Sequence, residues 1–148
     1  MGSDSLMPFF EYEDKINFVL ALTSNKGSID FEKSKLEDGS FLYQKVLKKL
    51  SEWNENKNIG AVFGATNSNE LKQNFDLLKG LYTLLPGIGA QGGSLTDVVE
   101  IFKSNEERNY LINASRSIIY ADDSENFGDA AVKVLTGYNK TINEILNN

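Results

Sequence analysis

Four short runs rich in β-branched and apolar residues punctuate the chain: Ile16–Leu22, Ile59–Gly64, Tyr82–Pro86 and Tyr110–Ala114. Each is nearly continuous rather than alternating, the pattern of strands covered on both faces. Between and after them the apolar positions change to helical spacing. Leu42, Val46, Leu50 and Trp53 form one stripe, and Leu71, Phe75, Leu78 and Leu81 a second. Leu95, Val98, Val99 and Phe102 mark a shorter helix. Phe127, Ala130, Ala131, Val134, Tyr138, Ile142 and Ile145 mark a long terminal one. Asn67 or Ser68 before Glu70, and Ser94 before Asp97, are expected helix starts, with Gly80 placed to close the second helix.

The resulting order is β-α-β-α-β-α-β-α behind a short segment around Asp4–Phe10. Repeated β-α units predict an α/β fold with a parallel sheet and right-handed crossovers. One long polar loop, Ser24 to Gly39, follows the first strand, where such loops often reach over a ligand. Four units are half of a complete (β/α)8 barrel. Periodicity alone does not separate a small open sheet from half of a larger ring.

Composition narrows the chemistry. Hydrophobic residues make up 41% of the chain and charged residues 24%, ordinary for a globular protein of 148 residues. A net charge of -6 and the absence of any basic stripe argue against a nucleic-acid partner. There is no cysteine and no histidine, which excludes disulfides, zinc sites built on those residues and every imidazole-assisted nucleophile. Acid–base work would fall to Asp, Glu, Lys or Tyr. No apolar run is long enough to span a bilayer, and the N-terminus lacks a basic-then-apolar pattern, so a cytoplasmic protein with no membrane partner is expected.

The most informative loop is Pro86-Gly87-Ile88-Gly89-Ala90-Gln91-Gly92-Gly93, with four glycines in seven residues after a strand and before a helix. Glycines there free main-chain N–H groups, and a helix start adds the positive end of its dipole, which together cradle an anion. A tight turn alone needs one or two glycines. The string also matches G-x-G-x-x-G, but a dinucleotide unit wants an acidic residue at the end of the next strand. That strand ends instead in Asn113-Ala114-Ser115-Arg116. Arg116, in Ser115-Arg116-Ser117, offers a planar fork that matches phosphate oxygens. Consecutive parallel strands tend to be neighbours, so the glycine loop and Arg116 should meet, as phosphate sites do after the last two strands of β/α barrels. That pairing favours a barrel over an open sheet. Thr23-Ser24-Asn25 and Gly64-Ala65-Thr66 end the first two strands and could face the same mouth.

These four strand ends, in this order, resemble orotidine 5'-phosphate decarboxylase, closest to its longer bacterial and protozoan subfamily. The opening Gly2-Ser3-Asp4-Ser5-Leu6 and Pro8-Phe9 resemble the segment after that family's fourth strand. The resemblance implies that residues 1–148 are the C-terminal half of the barrel domain, covering approximately its fifth to eighth strands. It implies decarboxylation of orotidine 5'-phosphate to UMP, in pyrimidine biosynthesis, without metal or cofactor, by a homodimer with sites near the interface. By the same resemblance Gln91 and Arg116 hold the 5'-phosphate together with a main-chain N–H at Ser115. Ser24 bonds the pyrimidine and touches Gln91, and Pro86 lines the base pocket.

One departure is large. The family's catalytic Lys/Asp array, of the type Asp-x-Lys-x-x-Asp, has no counterpart in the chain, and Glu13-Asp14-Lys15 precedes a strand instead of ending one. No catalytic residue is therefore assigned, and the chain alone is expected to be inactive. Two alternatives stay open at this level. One is a non-catalytic phosphate-binding half-barrel, whose two unpaired edge strands invite association. The other is a different phosphosugar barrel enzyme, such as one from tryptophan or histidine synthesis.

Overall fold

The computed structural model describes residues 2–147. Its elements follow the order α1 (Ser3–Phe10), β1 (Asn17–Leu22), α2 (Leu42–Trp53), β2 (Ile59–Phe63), α3 (Ser68–Gln73), β3 (Tyr82–Pro86), α4 (Leu95–Ser104), β4 (Tyr110–Asn113), α5 (Arg116–Ile119) and α6 (Phe127–Asn147). The four strands form one parallel sheet in the order β1-β2-β3-β4, so every strand ends at the same side. This is a partial β/α barrel, with the strands where the apolar runs place them.

The helices cover one face of the sheet. Ile59, Ala61 and Phe63 of β2 and Thr83 and Leu85 of β3 point into that layer and are fully buried. Tyr43 of α2 meets Phe63 edge to face, and Phe102 of α4 packs between Phe75 and Tyr110. The other face, which would be a barrel's interior, is open. Its cross-strand row runs Leu20, Val62, Leu84 and Leu111, and the two outer leucines are half exposed. Continuous apolar strands predict cover on both faces, and β2 comes near it. β1 and β4 do not, because a four-stranded sheet cannot close on itself.

Other expectations shift for local reasons. The second stripe does not make one helix: α3 stops at Gln73, and Phe75–Leu77 continue as a short 3-10 turn. Asn74 breaks the helix. Its side-chain amide donates to the Tyr43 hydroxyl (3.0 Å) and the Glu70 carbonyl (2.8 Å), and its carboxamide oxygen accepts from Gln44 (2.5 Å). Leu71, Phe75, Leu78 and Leu81 are all buried nonetheless. Asn67 occupies the start of α3 but makes no side-chain capping bond; its amide donates instead to the Thr23 carbonyl at 2.8 Å. Ser94 does cap α4, accepting from the Asp97 N–H. Gly80 has φ of 76°, the left-handed conformation that ends such a segment. On α2 the fully buried side chains are Tyr43, Leu47 and Leu50. Leu42, Val46 and Trp53 line an apolar groove beside β1 with Leu6 of α1 and Val19.

Candidate phosphate and ligand site

All four strand ends converge. Close approaches at this mouth require glycine. A Cβ on Gly64 would lie 2.4 Å from the Ser24 nitrogen, so the small residues after β2 serve close packing against the β1 loop. A Cβ on Gly87 would lie 2.3 Å from Ser24 Oγ, and Gly87 has φ of 101°, in the region L side chains avoid. Ser24 can therefore donate from its hydroxyl to the Pro86 carbonyl at 2.8 Å. The same carbonyl accepts from the Ala65 N–H at 2.8 Å, locking the ends of β1, β2 and β3 together.

The glycine loop then folds back on itself, the Gly93 N–H donating to the Gly87 carbonyl at 3.0 Å. Beyond it lies a cavity of about 190 Å³ lined by Pro86, Gly87, Ile88, Ala90, Gln91, Asn113, Ser115 and Arg116. The glycine loop and the Ser-Arg turn thus meet in one place, as their adjacent strands require. Arg116 is exposed and forms no ion pair among the described residues. Its guanidinium keeps its donors available. Arg116 opens α5, a four-residue helix in which the Ile118 and Ile119 N–H groups donate to the Ser115 carbonyl. Ser115 lines the cavity and turns its hydroxyl to Asn113 Oδ1 at 3.1 Å.

A wider cavity of about 670 Å³ adjoins on the β1 side, lined by Ser24, Asn25, Lys26, Ser28, Ile29, Lys33, Thr66, Asn67 and Gln91. This volume is in the range of small-molecule sites. Gln91 lines both cavities and so joins them. Its amide reaches Asn25 Oδ1 at 3.5 Å, while the Ser24 hydroxyl is engaged with Pro86. Lys26, Lys33 and Arg116 line the two cavities and no carboxylate does, although the chain carries a net charge of -6. Of these cations Lys33 is paired with Glu70, so Lys26 and Arg116 are the charges an anion would meet. Ser24, Pro86, Gln91, Ser115 and Arg116 all stand at this mouth.

Several residues that shape the site carry no periodic signal. Glu32 accepts from the Thr23 N–H (2.6 Å) and the Thr23 hydroxyl (3.1 Å), which fastens the long loop to the end of β1. Lys33 pairs with Glu70 at 2.5 Å and ties the loop to α3. Burial opposes ionisation of Glu70, but the Lys33 ammonium outweighs it and holds the carboxyl below the usual range. The one available signal was the position of Glu32 and Lys33 inside the single long polar loop after a strand. The Asp14–Lys15 pair lies before β1, at the opposite end of the sheet from this mouth.

A parallel β/α sheet whose glycine loop and arginine turn meet at adjacent strand ends defines a partial β/α-barrel protein. More narrowly, the chain belongs to the Orotidine 5'-phosphate decarboxylase / HUMPS family, whose pattern matches residues 1–131. It is 44% identical over 131 residues to the orotidine 5'-phosphate decarboxylase of Porphyromonas gingivalis, covering 88% of this chain and 47% of that protein. Its structure is similar to Leishmania donovani OMP decarboxylase, with a TM-score of 0.76 and 35% identity over 96% of this chain and 54% of the other. A putative orotidine-monophosphate-decarboxylase from Toxoplasma gondii gives a TM-score of 0.81 at 27% identity, covering 100% of this chain and 57% of that one. The chain spans about half the length of the curated relatives it matches. Among the described residues no helix is long and apolar enough to cross a membrane.

Proposed function

We propose that the chain supplies the phosphate- and pyrimidine-binding half of an orotidine 5'-phosphate decarboxylase, corresponding to the fifth to eighth strands of its barrel. The observation that carries this reading is the convergence of Gln91, Arg116 and the glycine loop on one cavity free of carboxylates. In this reading Arg116 and Gln91 hold the 5'-phosphate, with the Ser115 N–H completing the cradle. Pro86 lines the base pocket, and Ser24 orients the pyrimidine from the neighbouring cavity. Family membership favours this substrate over the phosphosugars of tryptophan or histidine synthesis.

In the reaction the bond from C6 of the pyrimidine to the carboxylate breaks, carbon dioxide leaves, and the electron pair remains on C6 until a proton arrives. No residue at this mouth is assigned that role: Arg116 does not deprotonate, Lys33 is tied to Glu70 in an ion pair, and Lys26 lines the wider cavity without the Lys/Asp partners the family uses. The proton and the charge that stresses the carboxylate belong to a Lys/Asp array outside these residues. What the present residues contribute is grip. Binding energy on a remote phosphate can be used to order a site and lower a barrier, but it cannot protonate carbon.

Two assays test the reading. Calorimetric titration should show UMP binding more tightly than uridine, with inorganic phosphate as competitor; equal affinity for UMP and uridine would remove the phosphate grip. Decarboxylation of orotidine 5'-phosphate should be absent with the 148-residue chain alone and appear on mixing with the N-terminal half of a relative. Turnover by the chain alone would show that the proton donor lies within it. The complete enzyme is expected to be a cytoplasmic homodimer needing no cofactor.

A further inference from the structure

The glycine loop touches more than the strand ends. Gly89 has φ of 75°, and a Cβ there would lie 2.7 Å from the Tyr138 hydroxyl oxygen and 2.9 Å from both Cβ and Oγ of Ser117. Side chains do not approach so closely, so only glycine lets the loop, α5 and α6 meet at this point. The contact joins the two side chains that the cavity offers a phosphate. On one side, the Gly89 carbonyl accepts from the Gly92 N–H at 2.8 Å, closing a turn that holds Gln91 between them. On the other, Ser117 directly follows Arg116. Its buried hydroxyl has no hydrogen-bond partner among the described residues, so its tie to the loop is one of packing. Neither Ser117 nor Tyr138 lines the cavity of Pro86, Gln91 and Arg116; both meet the loop away from it.

Tyr138 belongs to a helix fixed by other contacts. Its ring packs against the core and lines a groove with Ile112, Ala114 and Ile118. Helix α6 rests on both α4 and α5, and Lys103 near the end of α4 donates to the Ile145 carbonyl at 2.6 Å. Since α4 follows the glycine loop and α5 carries Arg116, α6 braces the helices on each side of the cavity.

We infer that Tyr138 is a positioning residue for the phosphate grip: its hydroxyl, seated on Gly89 beside Ser117, sets the spacing between Gln91 and Arg116. This rests on the reading of that cavity as the phosphate site. A residue that only packed α6 would lower stability without choosing between ligands. One that sets the spacing of two phosphate-binding groups acts on the phosphate alone, and acts through Arg116.

Calorimetric titration of UMP and of uridine into the 148-residue chain tests it, with Tyr138→Ala made both in the unaltered chain and in Arg116→Ala. Tyr138→Ala should weaken UMP binding about tenfold, leave uridine unchanged and add nothing to Arg116→Ala, the non-additivity of residues that act through one contact. Tyr138→Phe keeps the ring and removes only the oxygen at Gly89. It should weaken UMP about threefold in the same pattern, and it serves where the alanine variant does not fold. Unchanged UMP affinity in the folded variants, an equal loss with uridine, or the same loss in both backgrounds would overturn the positioning role. Equal affinity of the unaltered chain for UMP and uridine would remove the phosphate reading itself, and this role with it.

Discussion

The middle of the sheet and its two flanks are made from similar residues but live under different conditions. In β2 and β3, Ile59, Ala61, Phe63 and Leu85 are wholly buried; in β1 and β4, Leu20 and Leu111 are half exposed. The candidate site straddles this divide. Its glycine loop grows from packed β3 and is locked by Ser24 and Ala65, whereas Arg116 sits on the β4 flank, on a short helix that buries no residue. The difference teaches that the glycine loop is preformed by the core, while Arg116 depends on the flank being held in place.

The comparison can be broken most severely at the centre. Phe63→Ala removes a fully buried ring packed on Tyr43 and should cost about 3–5 kcal/mol of unfolding free energy. Leu111→Ala on the flank should cost well under half of that, and equal losses in chemical denaturation would erase the distinction. Gly87→Ala comes next. It forces a side chain into a left-handed position and against Ser24, and should cost about 1–3 kcal/mol while displacing the Ser24–Pro86 bond. Retained stability together with retained UMP binding would mean the loop adapts more freely than its packing implies.

The smallest effect concerns the loop clip. The folded state holds the Glu70 carboxyl below its ordinary value because of Lys33, against the opposing effect of burial. Its contribution is therefore complete above the ordinary glutamate range and is lost as pH falls through the lowered folded value. Both partners are partly solvated, so the pair is worth at most about 1 kcal/mol. Lys33→Met should flatten this acid limb of the stability–pH curve and speed proteolysis in the Ser24–Gly39 loop. An unchanged acid limb would assign it to other carboxylates.

Much of this architecture was legible in the apolar pattern. The four strands, the Ser94 cap and the meeting of the glycine loop with Arg116 all follow from spacing and from the adjacency of parallel strands. What was hidden depended on single polar side chains making non-local bonds. Leu71, Phe75, Leu78 and Leu81 signalled burial correctly, yet Asn74 breaks the helix by bonding to Tyr43 across another element. Asn67 reads as a cap and bonds instead to Thr23. Glu32 carries no periodicity at all. The stripe on α2 was half right: Leu50 is fully buried and Val46 and Trp53 are partly buried against the core, while Tyr43 and Leu47 carry the rest of the buried face.

The central claim is that the preformed glycine loop and the arginine on the flank act as one phosphate grip. Calorimetric titration of UMP into Arg116→Ala, beside the unaltered chain, tests it most directly. The expected result is a loss of about 1.5–3 kcal/mol in binding, the range for hydrogen bonds to charged groups, with the melting temperature unchanged. Unaltered affinity would contradict the account and leave Arg116 a surface residue.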